Sequence, residues 1–140
     1  MDEVIKAIMA LFAGTSANAI ALRAATTGGL WLSQAPQDAS GVFIVLTPVS
    51  APISYAQGQS GANANTEECS IQFTLATLTG TATNIVSAMA AAKTLFDFCT
   101  FTMTGHTLLV ARRLSSQGPL RDDTTRGYTG YLEYRFLIGG

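Results

Sequence analysis

Along residues 67–98 the spacing of apolar positions changes period once, and sharply. Cys69, Ile71, Phe73 and Leu75 alternate with Ser70, Gln72 and Thr74. That two-residue period belongs to a strand with one face buried. Thr79, Gly80 and Thr81 interrupt it. Beyond them Ile85, Met89, Ala92 and Phe96 recur at helical spacing. Thr81, Thr83 or Asn84 can accept hydrogen bonds from the free N–H groups at the helix start. The pattern predicts a strand at 67–77 and a helix at 83–98 that folds back on it, a scaffold for the rest of the chain.

The other segments are placed around this unit. Val4, Ile5, Ile8, Leu11 and Phe12 form one stripe, so residues 1–13 read as a helix with Asp2 and Glu3 at its positive end. Gly14 stops it, and residues 16–25 read as a second short helix capped by Thr15 or Ser16. Leu30, Trp31 and Leu32 make a short apolar piece, followed by an extended segment around Pro36 and a turn at 38–41. Residues 42–47 form a continuous β-prone run, which predicts a strand covered on both faces. Residues 54–65 and 114–127 are polar and read as long loops. Strands are expected at 107–113, after a turn at Gly105 and His106, and at 128–138. In the last strand Tyr128, Gly130, Leu132, Tyr134, Phe136 and Ile138 share a face.

This predicts one α+β domain over residues 1–140, with a mostly antiparallel four-stranded sheet and helices packed on one face.

Composition changes the picture in one respect. Only 12% of residues are charged, about half the usual share, and the net charge is −1. There is thus no global bias toward nucleic acid or an anionic membrane. Mean hydropathy is +0.30, yet no apolar run approaches the roughly 20 residues of a membrane-spanning helix. A weakly charged chain rich in Ala, Thr, Ser and Gly points to surface hidden against other copies or partners. Cys69 and Cys99 fit no disulfide spacing rule and read as reduced thiols of a cytoplasmic setting.

Candidate chemistry is sparse. His106 is the lone histidine and has no carboxylate or cysteine near it in sequence. Asp122 and Asp123 lack the oxygen-ligand spacing of a calcium loop, and Glu67 and Glu68 read as a polar strand end. Gly58, Gly61 and Gly80 form neither a P-loop nor a dinucleotide fingerprint. No catalytic, cofactor-binding or metal-binding residue is assigned, and an enzyme is not expected. Arg112, Arg113, Arg121 and Arg126 cluster. They read as an arm for DNA phosphates, a loop pairing with a neighbouring subunit, or a solvated loop.

Several patterns then fall in a familiar order. An apolar N-terminal helix precedes Gly28-Gly29-Leu30-Trp31, Ala35-Pro36-Gln37 and the run at 43–46. Ser70-Ile71-Gln72-Phe73-Thr74-Leu75, an Ala-rich helix and a long polar loop follow. The chain closes on Gly127-Tyr128, then Gly130-Tyr131-Leu132-Glu133-Tyr134-Arg135-Phe136. Over nearly its whole length the sequence resembles the tail-terminator (tail-completion) proteins of long-tailed bacteriophages. The resemblance implies a virion structural protein, assembled in the host cytoplasm and located at the head–tail junction. It implies a homo-oligomeric ring, a hexamer in this family, on the head-proximal end of the tail. Such a ring halts tail-tube polymerisation, meets a head-completion or neck protein, and lets DNA through its bore without sequence specificity. A tail-tube or neck adaptor subunit is the alternative, and a small binding module a third reading. The interface is expected on the two loops, at Tyr55, Gln57, Gln59, Asn63 and Asn65, and at Arg112, Arg113, Arg121, Asp122, Asp123 and Arg126. One departure stands out: a ring with two different partners calls for an acid–base contrast, and this chain has few charges with which to build one.

Overall fold

A computed structural model describes residues 2–36, 40–50, 53–55, 65–103, 105–121 and 127–139. Helix α1 spans Asp2–Phe12 and α2 spans Ala17–Ala25. Their junction is tied by Arg23, whose Nη1 donates to the carbonyls of Phe12 and Gly14. The first belongs to the last residue of α1, where carbonyls lack a partner within the helix, and the second lies just beyond it. Ser16 caps α2 by accepting from the Ala19 N–H at 3.1 Å.

The strands are β1 (Gly29–Leu32), β2 (Phe43–Ser50), β3 (Ile53–Tyr55), β4 (Asn65–Thr77), β5 (Thr107–Arg121) and β6 (Tyr128–Gly139). Between β4 and β5 lies helix α3, Ala82–Phe96. The main path of the sheet is β1-β2-β4-β6-β5, and β3 pairs with β4 beside it. The expected four-stranded, mostly antiparallel sheet is therefore corrected to a larger mixed sheet with one parallel pair, β1 with β2, while the α+β class stands. Leu30, Trp31 and Leu32 belong to the sheet, because β1 pairs parallel with β2, Gly29 opposite Phe43. Four residues are too few to show an alternation, which is why the sequence pattern left β1 out.

Two further strands differ from expectation. β2 is not covered on both faces: Ile44 and Leu46 are buried, whereas Phe43 and Val45 are half-buried. It also runs through Pro48, beyond Leu46, the last residue opposite β1. There β2 is an edge strand, where a residue without an N–H is tolerated. β5 continues to Arg121, so most of the expected 114–127 loop is strand. Its pairing with β6 shifts register at Leu108/Val110, Arg113/Ser115 and Gln117/Leu120. These bulges, together with exposure on both faces over much of its length, erase the alternation that would have marked it.

The core lies on the face that carries the helices. Ile71, Phe73, Leu75, Leu132, Tyr134 and Phe136 from β4 and β6 are fully buried against Ile85, Ala88, Ala92 and Phe96 of α3. Phe73 meets Phe96 edge-on at 4.8 Å between ring centroids and Tyr134 at 5.1 Å. α3 begins at Thr81, whose hydroxyl accepts from Asn84 N–H, the first of the three candidate caps. Before it, the buried Thr77 hydroxyl accepts from Gly80 N–H at 2.9 Å and holds the turn closed. Gly130 sits where α3 crosses β6: a Cβ there would stand 2.4 Å from Met89 Sδ.

Candidate assembly surface

The described parts of the two segments expected to meet neighbours lie on different strands of the sheet. β3 and the start of β4 form an arm with Tyr55 opposite Asn65 and Ile53 opposite Glu67. Gln57, Gln59 and Asn63 lie outside the described residues, as do Asp122, Asp123 and Arg126. Arg112, Arg113 and Arg121 are on β5, two strands away from β4, with β6 between. Among the described residues, Tyr55 and Asn65 thus stand apart in the sheet from Arg112, Arg113 and Arg121.

The three described arginines do different work. Arg113 lies against the helix layer, its Nη2 3.7 Å from Asp97 Oδ2. Asp97 Oδ1 in turn accepts the Tyr134 hydroxyl. Burial, and then Asp97, push the Tyr134 phenol well above its usual range, so it stays protonated and donates. Arg113 is thus bound into the fold. Arg112 stands directly across from Arg135 in the β5–β6 register, on the helix-free face. Like charges in that position repel. Glu68 relieves this in part, its Oε2 3.8 Å from Arg135 Nε. That distance is too long for a hydrogen bond, and Arg135 Nε is buried without one. Arg121 is exposed at the last β5–β6 pair, opposite Tyr128.

The same side of the molecule carries apolar surface that sequence reasoning missed. Phe98 is 76% exposed, although the neighbouring Phe96 is fully buried. Its φ of 55° is left-handed, a costly state for a bulky residue. The backbone on both sides holds it there: Asp97 N–H donates to Lys93 O, Phe98 N–H to Ala111 O of β5 at 3.1 Å, and Cys99 N–H to Phe96 O. Leu109, Val110, Leu114 and Leu120 of β5 are also exposed. The signal for Phe98 was its position, two residues past Phe96 and off the stripe that fills the core.

Little here supports catalysis. Among the described residues, no three of His, Cys, Asp and Glu come together to hold a metal ion. Burial pushes the Cys69 thiol up to about 11, helped by the Glu67 charge, and burial does the same for Cys99. Neither is a reactive thiolate near neutral pH. His106 forms an isolated bridge with Met103. Gln72, Ser115, Gln117, Tyr131 and Glu133 line a shallow polar hollow of about 330 Å³ on the helix-free face. It holds a single carboxylate, without the paired acid and base that hydrolytic chemistry needs. No described helix is by itself long and apolar enough to cross a membrane.

No protein-family model matches the chain, and no curated protein sequence does. Its fold does match solved structures. A chain of the virion of a native gene transfer agent particle is similar with a TM-score of 0.76, covering 99% of this chain and 96% of that one at 12% identity. A second solved protein is similar with a TM-score of 0.50 at 18% identity, covering 82% and 84% of the two chains.

Proposed function

We propose that this chain is a structural protein of a phage-like virion, and that it acts there as the ring that completes the tail. One observation carries the reading: the fold match covers 99% of this chain and 96% of a chain in a gene transfer agent virion. At 12% identity the likeness is one of fold, so the role rests on three lines taken together. The sequence resembles tail-terminator proteins over nearly its whole length. Its surface is poor in charge and displays Phe98, Leu109 and Leu114. Among the described residues no three of His, Cys, Asp and Glu come together to hold a metal ion.

In this role six copies close a ring on the head-proximal end of the tail tube. One face stops addition of tube protein and the other receives a head-completion or neck protein. DNA passes through the bore without sequence readout. The ring is made in the host cytoplasm and stays in the virion.

The test is to mix purified protein with tail-tube protein and follow length and end structure by negative-stain microscopy, with native mass spectrometry on the protein alone. Capped tubes of limited length and a closed oligomer are expected. A strict monomer that leaves tube growth unchanged would refute the reading. Long filaments of this chain alone would instead mark it as a tube subunit.

A further inference from the structure

We draw no further inference here: the strongest candidate, the exposed apolar surface formed by Phe98 beside the edge strand β5 and by Leu114 and Leu120 along that strand, carries nothing because nothing in the structure shows what covers it.

Discussion

Tyr134 and Asp97 join two layers of the molecule: the phenol of β6 donates to the carboxylate at the residue that ends α3. Arg113 of β5 approaches the other oxygen of the same carboxylate. One residue therefore fixes the helix end, the middle of the sheet and its edge. It also sets the direction in which Phe98, the next residue, leaves the helix.

Removing that donor should be felt throughout the fold. Tyr134→Phe leaves the ring packing intact and takes away one hydrogen bond to a charged group, so it should cost about 2 kcal/mol. Urea unfolding followed by circular dichroism measures this. A midpoint equal to that of the wild type would show that the pair contributes nothing.

Alkaline pH should destabilise the fold through its thiols. Both cysteines are raised from 9.0 to about 11 in the folded chain, chiefly by burial. The unfolded chain therefore releases thiol protons above pH 9 that the folded chain retains. Their contribution is whole below pH 9 and is lost as pH climbs toward about 11. The raised Tyr134 adds a loss of the same sign at higher pH. Cys69→Ala/Cys99→Ala should start less stable, since a buried side chain is shortened, but should decline more shallowly across this window. Parallel declines in urea titrations would assign the pH effect elsewhere.

The α1–α2 corner depends on a single guanidinium. Arg23→Met keeps most of the aliphatic stem and strips the hydrogen bonds from the carbonyls of Phe12 and Gly14. About 2 kcal/mol should be lost, because charged donors to ordered carbonyls are worth more than neutral ones. Hydrogen exchange should show α1 opening ahead of the sheet, whereas uniform loosening would contradict a local cap.

Two glycines of β6 and its approach should respond differently to an added methyl group. At Gly127 a Cβ would fall 2.1 Å from the Thr77 carbonyl oxygen, a backbone atom that cannot swing aside. At Gly130 its nearest neighbour is the sulfur of Met89, near the tip of a flexible side chain. Gly127→Ala should cost about 3 kcal/mol or more and Gly130→Ala about 1–2 kcal/mol. The reverse order in thermal unfolding would refute the packing described for this seam.

The parts of the fold legible in the sequence were those whose burial is one-sided. β4, β6 and α3 each bury one face, and Phe73, Phe136 and Ile85 mark it with the correct period. β1 and the far half of β5 left no such trace, because edge strands bury little and their residues are chosen for what lies outside the core. The candidate surface was harder to read. Arginines were easy to see, but Arg113 proved to be tied to Asp97, a carboxylate sixteen residues before it and on another element. Phe98 was hidden by its own hydrophobicity, since an aromatic residue beside Phe96 reads as core until the backbone turns it outward.

Trp31 is the sole tryptophan, and it sits on β1, at the far side of the sheet from β5. It is 37% exposed, with its indole N–H donated to Gly28 O at 2.8 Å. The chain thus carries a built-in optical probe on the β1 margin of the sheet. Emission from a partly hydrated indole moves to shorter wavelength when water is displaced. Dilution of the unlabelled protein should therefore report, by colour alone, whether that margin is covered.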